Sequence, residues 1–144
     1  MNANKLYQYE FPVTHGRGYD YSLHCHLVWC TKNRQKVFTD VLVEEIKAHI
    51  IRTEQDLDMK ILALEVMPDY IHILADCKPQ CRLSDAIKVF KGNVARWLFM
   101  QHPELKQQLH EGSLWNRSYF AVFASQQVRE QMERYLRYEE KSKA

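Results

Sequence analysis

The middle of the chain contains the segment Tyr70-Ile71-His72-Ile73-Leu74-Ala75-Asp76-Cys77, in which two kinds of side chain alternate. Every second residue from Ile71 onward is apolar, whereas Tyr70, His72 and Asp76 stand at positions between them. An alternation with a period of two is typical of a β-strand that buries one face. The segment therefore predicts a strand over Tyr70–Cys77 that presents His72 and Asp76 on the face opposite the core.

An earlier segment, from Tyr19 to Thr31, alternates in the same way and predicts a second half-buried strand. Its polar positions are Ser22, His24 and His26. Its apolar positions are Tyr21, Leu23, Cys25, Leu27 and Trp29.

Helical spacing, caps and turn residues indicate the remaining elements. The first eighteen residues, which end in Gly16-Arg17-Gly18, form an N-terminal arm, and residues 19–144 form the domain. The further predicted elements are, in order, a helix from a cap at Thr39 or Asp40 to about Leu57, a strand from Met59 to Val66, an amphipathic helix from a cap near Ser84 to Pro103, a strand from Ser118 to Phe123, and a helix capped by Ser125.

The order β-α-β-β-α-β-α belongs to the α+β class and predicts a ferredoxin-like (RRM-like) fold. In that fold an antiparallel four-stranded sheet carries its helices on one face, and the first and third strands are central neighbours. The opposite face would display His24 and His26 beside Tyr70 and His72. The additional C-terminal helix is free to pack on this face.

The composition is that of a soluble globular protein of one domain. The chain has 144 residues, 46% hydrophobic and 26% charged, and its apolar runs are far shorter than the roughly 20 residues that span a bilayer. The first residues lead into no apolar region of a secretory signal, so a cytoplasmic location without a membrane partner is expected. The four cysteines match no standard zinc spacing and are expected to be reduced and mostly buried.

Charge is unevenly distributed along the chain. The residues from Asp40 to Asp58 carry six acidic and two basic side chains, a net charge of −4, which leaves +6 on the rest of a chain whose total is +2. An acidic helix on a mildly basic remainder is compatible with a nucleic-acid partner.

Three histidines and Asp76 on one face of two adjacent strands could bind a divalent metal ion. They could equally be ordinary polar residues of a sheet surface. On the last helix, Tyr135 and Glu139 are spaced i, i+4, so a phenol and a carboxylate would approach the same target. Alternatively, Tyr135 lies at the edge of the core and Glu139 pairs with neighbouring Arg or Lys side chains.

The long helix carries Lys88 and Lys91 beside the small residues Gly92 and Ala95. Small side chains let a phosphate chain approach the backbone, and lysines neutralise its charge. The alternative is a solvated helix face with a tolerated glycine.

Several motifs occur together in the order found in one known family. The chain resembles the single-tyrosine HUH transposases of the insertion-sequence 200/605 family, the small TnpA enzymes, from about Gly16 to Glu140. The motifs are Gly16-Arg17-Gly18-Tyr19, His26-Leu27-Val28-Trp29-Cys30-Thr31-Lys32-Asn33-Arg34, Glu65-Val66-Met67-Pro68-Asp69-Tyr70-Ile71-His72-Ile73-Leu74, Lys88-Val89-Phe90-Lys91-Gly92, Leu114-Trp115-Asn116-Arg117-Ser118-Tyr119 and Tyr135-Leu136-Arg137-Tyr138-Glu139.

The resemblance implies a nucleophile and a site for Mg²⁺ or Mn²⁺. Tyr135 corresponds to the nucleophile, and His72 and Glu139 correspond to metal ligands. The family's first metal-binding histidine falls on Tyr70, which is a departure from the pattern. A phenol with a pKa near 10 is a poor ligand unless it is deprotonated.

Three explanations of this departure are open. The protein could be a relative that no longer cleaves DNA. It could bind metal through His72, Glu139 and a substitute ligand, with His24 or His26 ahead of Asp76. Tyr70 could also be a substitution in an otherwise active enzyme.

The resemblance further implies a substrate and a partner. The substrate is single-stranded DNA with a hairpin near each element end, cleaved through a 5′-phosphotyrosine intermediate and then rejoined. Arg17, Lys88 and Lys91 are the candidate phosphate contacts, and the partner is a second copy in a homodimer, with the tyrosine helix able to act in trans. Outside the resemblance, a ferredoxin-like domain that binds RNA or a metabolite would use Tyr70 as a stacking residue.

Overall fold

The computed structural model describes residues 3–8 and 10–141. Four strands form one antiparallel sheet in the order β4-β5-β3-β6, and two short strands, β1 and β2, form a separate hairpin. The strands are β1 (Thr14–His15), β2 (Asp20–Tyr21), β3 (His24–Cys30), β4 (Met59–Met67), β5 (Tyr70–Cys77) and β6 (Phe120–Phe123).

In the described part of the chain, four α-helices and four short 3₁₀ turns connect and cover these strands. The α-helices are α1 (Asp40–Thr53), α2 (Leu83–Gln101), α3 (Leu105–Gln108) and α4 (Val128–Lys141). The 3₁₀ turns are Ala3–Tyr7, Lys32–Arg34, Glu54–Asp56 and His110–Gly112. The strand order confirms the ferredoxin-like prediction, with β3 and β5 as central neighbours. None of the described helices is long and apolar enough to cross a membrane.

The alternation along the two central strands separates a core face from a second face, as predicted. Ile71 and Trp29 are buried in the main core, where the ring of Trp29 stacks on Phe90 of α2 at 5.9 Å. Ile46 of α1 belongs to the same core. All four cysteines are free thiols, and three of them are buried, which confirms the prediction.

Several predicted boundaries differ from the observed ones. Helix α1 ends at Thr53 rather than near Leu57. The strand predicted from Tyr19 is divided, because a turn around Gly18, with φ +87°, folds β1 back onto β2 so that Thr14 pairs with Tyr21. Helix α2 begins at Leu83 rather than after a cap at Ser84. The last strand begins at Phe120, two residues after its predicted start at Ser118. The Ser118 carbonyl accepts a hydrogen bond from Lys91 rather than from a neighbouring strand.

The second face of the sheet is covered from both ends of the described chain. Leu6 of the Ala3–Tyr7 turn packs on Leu74, and Leu136 of α4 packs on Val28. The Arg129 guanidinium of α4 lies 3.9 Å from the centre of the Tyr7 ring, so the two covering segments also contact each other. The face predicted to be open is therefore the floor of a covered site.

Candidate active site

Two histidines meet on this second face. His26 Nδ1 lies 2.8 Å from His72 Nε2, within hydrogen-bond distance, because β3 and β5 pair Val28 with His72 and thus place His26 diagonally across from it. Both side chains are 0% exposed. The rings of Tyr7 and His72 meet edge to face, with 6.2 Å between ring centres.

Burial keeps both imidazoles neutral. Loss of hydration lowers the pKa of His72 to about 3, with a further contribution from His26, and lowers the pKa of His26 to about 4. Each ring has a second nitrogen, His26 Nε2 and His72 Nδ1, without a hydrogen-bond partner among the described residues. The pair is therefore a neutral, desolvated group and not the polar surface that one alternative predicted.

The other two candidates for metal binding on this face form their own pair. His24 Nε2 lies 3.6 Å from Asp76 Oδ1, and Thr14 Oγ1 donates to Asp76 Oδ2 at 2.7 Å. The ring of Phe11 stacks on His24 at 4.5 Å. His24 and Asp76 are thus occupied by the N-terminal segment.

Tyr70 begins β5 and is half-buried. Its hydroxyl donates to Glu65 Oε1 at 3.3 Å. Burial and then the nearby Glu65 carboxylate raise the pKa of this phenol above its ordinary value. The hydroxyl therefore stays protonated at neutral pH, a state that binds divalent ions poorly.

Tyr135 and Glu139 meet one turn apart on α4, as their spacing predicted. Ser118 Oγ lies 2.9 Å from the Tyr135 hydroxyl and donates to Glu139 Oε1 at 3.0 Å. Asn116 Nδ2 donates to Glu139 Oε2 at 2.7 Å. Burial is the first cause that raises the pKa of Tyr135, so its hydroxyl is protonated in this conformation. The four side chains form one hydrogen-bonded set.

The tyrosine set and the histidine pair lie over different strands. The ring of Tyr135 stacks on Phe120 of β6 at 5.6 Å, whereas His72 belongs to β5, and β3 lies between these strands. Within residues 3–8 and 10–141, no three His, Cys, Asp or Glu side chains are grouped as a metal site requires. In this conformation the residues implied as ligands, His72, Glu139 and Tyr70, do not fit a divalent ion.

The three predicted DNA-binding residues have different environments. Arg17 is exposed in the turn between β1 and β2, and Lys88 is exposed on α2. Lys91 is half-buried, and its ammonium donates to the backbone carbonyls of Asn116 and Ser118.

An open cavity of about 490 Å³ lies between α2 and the segment that precedes β6. Its lining combines basic and aromatic side chains with small residues. Among them are Lys88, Lys91, Gly92, Trp115, Arg117 and Tyr119.

Asn116, Ser118, Arg117 and Arg34 were not assigned roles from the sequence. The first three belong to a motif that supports the resemblance, but their irregular segment has no periodicity from which orientation could be predicted. Arg34, at φ +51°, is the second of two left-handed residues after β3.

Arg34 joins α4 to the turn between β4 and β5. Its Nη2 lies 2.8 Å from Asp69 Oδ2, and its Nη1 donates to the Leu136 carbonyl at 3.0 Å and to Glu140 at 3.3 Å. This arginine therefore fastens the half of α4 that carries Tyr135 and Glu139.

Comparison with known proteins identifies similar chains. The sequence model of the family described as "Transposase IS200 like" matches residues 19–139. The ISDra2 transposase TnpA of Deinococcus radiodurans is 36% identical over 121 residues, which cover 84% of this chain and 86% of that protein. The IS200 transposase of Salmonella typhimurium is 24% identical over 95 residues, which cover 66% of this chain and 62% of that protein.

Two solved structures share the fold. A crystal structure described as that of a transposase from D. radiodurans R1 superposes with a TM-score of 0.82 and 38% identity, covering 88% of this chain and 97% of that chain. A REP-associated tyrosine transposase bound to a REP hairpin superposes with a TM-score of 0.55 and 14% identity, covering 82% and 67%.

Proposed function

Because this chain belongs to the family of IS200-like transposases, we propose that it cleaves and rejoins single-stranded DNA with Tyr135 as the nucleophile. The observation that supports this proposal best is the environment of the Tyr135 hydroxyl. It lies 2.9 Å from Ser118 Oγ, which in turn donates to the Glu139 carboxylate. A tyrosine that only filled the edge of the core would not need a carboxylate joined to it in this way.

In the proposed reaction the Tyr135 oxygen attacks the phosphorus of a DNA phosphodiester. The new bond joins Tyr135 to the phosphate on the 5′ side of the break. The bond from phosphorus to the 3′ oxygen breaks, and this oxygen takes up a proton from water to give a free 3′-hydroxyl. The phenol proton has a hydrogen-bonded route through Ser118 to the carboxylate of Glu139. Because the covalent intermediate is still a phosphodiester, attack by another 3′-hydroxyl can rejoin the strand without a nucleotide cofactor.

The proposed DNA-binding surface includes the cavity beside α2. Lys88 and Arg117 supply positive charge for the phosphates, and Trp115 and Tyr119 supply aromatic faces of the kind on which bases stack. Arg17 adds a further exposed cation. The complex of the REP-associated transposase with a hairpin supports the proposal that hairpin-containing single-stranded DNA is the partner.

Mg²⁺ or Mn²⁺ remains the proposed cofactor. When bound, such an ion would stabilise negative charge on the phosphate. The candidate ligands are His72 and Glu139, with His26 or His24 as a substitute for Tyr70. Because Glu139 lies on α4 and His72 on β5, a movement of α4 or the binding of DNA would have to bring these two side chains together.

A second candidate function is hairpin DNA binding without cleavage. Two observations favour it: the protonated phenol of Tyr70 stands where the family has a ligand, and His72 already contacts His26.

We also propose a homodimer in which α4 could complete the partner's site, since α4 follows a short connection after β6 and could be exchanged between copies.

A denaturing gel tests both functions with labelled hairpin DNA from the ends of the element that flanks the gene, in the presence of Mn²⁺. Wild-type protein should give a covalent protein–DNA band that Tyr135→Phe abolishes. Tyr138→Phe is the matched control, because Tyr138 is 69% exposed on the same helix, and it should keep the band. A band that appears only after Tyr70→His would establish the DNA-binding function instead.

A further inference from the structure

Lys91 is attached to the segment before β6 through both its side chain and its backbone. Its Nζ donates to the carbonyls of Asn116 at 2.9 Å and Ser118 at 3.0 Å. Its own carbonyl accepts a hydrogen bond from Trp115 Nε1 at 2.9 Å. Helix α2 thus contacts three residues of this segment through a single lysine.

The segment receives little support from the sheet. It lies outside the strands except for a single bridge between Thr31 and Trp115, and β6 begins at Phe120. The Asn116 amide donates to the Cys30 carbonyl at 3.0 Å. Because a half-buried ammonium group loses hydration, its two carbonyl partners are what make this position favourable for a lysine.

On its other side the same segment holds the tyrosine set. The Asn116 and Ser118 side chains contact Glu139 at 2.7 and 3.0 Å, and Ser118 contacts the Tyr135 hydroxyl. A shift of the Asn116 and Ser118 backbone would therefore be passed directly to Tyr135 and Glu139.

We propose that Lys91 is a positioning residue, which acts through Asn116 and Ser118 to set the placement of Tyr135 and Glu139. This assigns Lys91 a role other than the phosphate contact that its sequence context predicts. Two of its three N–H groups point at protein carbonyls, whereas Lys88, one turn earlier on α2, is exposed. The inference rests on the proposed function for its effect on cleavage, but not for its effect on the tyrosine environment.

The first test compares Lys91→Met with Lys88→Met in the cleavage assay. Lys91→Met should lower the rate at saturating DNA by about 10- to 100-fold, the effect of a misplacement near 1 Å, and leave the Kd for hairpin DNA unchanged. Lys88→Met should instead raise the Kd, because Lys88 belongs to the proposed DNA-binding surface. A Lys91→Met protein that loses affinity instead of rate would overturn the inference.

The second test needs no cleavage activity. Fluorine NMR of protein labelled with 3-fluorotyrosine would show a Tyr135 signal, assigned by its absence in Tyr135→Phe. This signal should move in Lys91→Met and in Ser118→Ala, and stay in place in Lys88→Met. An unmoved signal in Lys91→Met contradicts the positioning role, whether or not the protein cleaves DNA.

A milder variant covers the case in which Lys91→Met does not fold. Lys91→Gln keeps an amide NH2 group with two N–H donors on a shorter side chain, and it should shift the Tyr135 signal in the same direction by a smaller amount. Combined with Ser118→Ala, either Lys91 variant should lower the cleavage rate by less than the product of the separate effects, since both act through one contact. Fully multiplicative effects, or a Lys91→Gln signal identical to that of wild type, would overturn the inference.

Discussion

Tyr70 occupies the position at which the chain departs from the family's histidine pattern. Tyr70 donates to Glu65 and is kept protonated by its surroundings. An imidazole at this position would stand on the same face of β5 as His72, because strand residues two apart share a face. A histidine at position 70 would therefore add a nitrogen donor beside His72 in the proposed metal site.

We expect Tyr70→His to bind Mn²⁺ at least about tenfold more tightly than wild type, since it restores a neutral nitrogen ligand beside His72. Titration calorimetry of the DNA-free protein with Mn²⁺ measures this. Tyr70→Phe is the matched control, because it removes the phenol without supplying an imidazole. Equal Mn²⁺ affinities for the His and Phe variants would exclude Tyr70 as the position that weakens metal binding.

The sequence could predict which residues share a face, but not which atoms touch. Periodicity placed His26 and His72 on one face, and helical spacing placed Tyr135 beside Glu139. The direct contact between the two imidazoles depends on the register of β3 against β5, which periodicity does not determine. Ser118 and Asn116 could not be predicted, because their orientation comes from a lysine of another element.

Among the elements, α4 combines a strongly polar outer face with a narrow apolar stripe. Met132 and Leu136 are its buried contacts with the sheet at Val28. Arg34 adds a hydrogen bond to the Leu136 carbonyl and an ion pair with Asp69 that is largely buried. Arg34 is therefore one of the residues outside α4, together with Asn116 and Ser118, that hold this helix in place.

We expect Arg34→Ala to loosen α4 by about 2 kcal/mol, because the helix loses the charge-assisted hydrogen bond to the Leu136 carbonyl, or roughly 30-fold in its opening equilibrium. Hydrogen exchange should accelerate along residues 132–139 and remain slow in β3 and β5. Arg137→Ala, which removes an exposed arginine of α4 itself, should leave exchange unchanged. Uniform acceleration across the sheet after Arg34→Ala would mean that Arg34 supports the whole fold and not α4.

At the scale of the whole molecule, the second sheet face is closed by segments from opposite ends of the sequence. The alternation of the two central strands, together with the β-α-β-β-α-β-α order of the elements, was enough to predict the sheet and the pairing of its central strands. The Ala3–Tyr7 turn was not predicted, because five residues carry too little periodicity to reveal a packed face. The division into an arm and a domain remains a prediction, although Leu6 is 1% exposed against the sheet.

We expect Leu6→Ala to lower the free energy of unfolding by about 2–3 kcal/mol, as for other buried leucines. Urea unfolding followed by circular dichroism measures the change. Val13→Ala, at a position that is 53% exposed, should shift the free energy by less than about 0.5 kcal/mol. A Leu6→Ala protein as stable as wild type would mean that the turn does not pack on the sheet in solution.

The contact of Arg129 with the Tyr7 ring makes the two covering segments thermodynamically linked. A cation–π contact at an exposed site contributes about 0.5–1 kcal/mol, which corresponds to roughly a two- to fivefold change in an equilibrium constant. Linkage is reciprocal. Lifting the Ala3–Tyr7 turn from His72 should therefore ease the release of α4 by that factor, and release of α4 should uncover His72 to the same degree. A ligand that displaces either covering segment would thus make the other segment easier to displace.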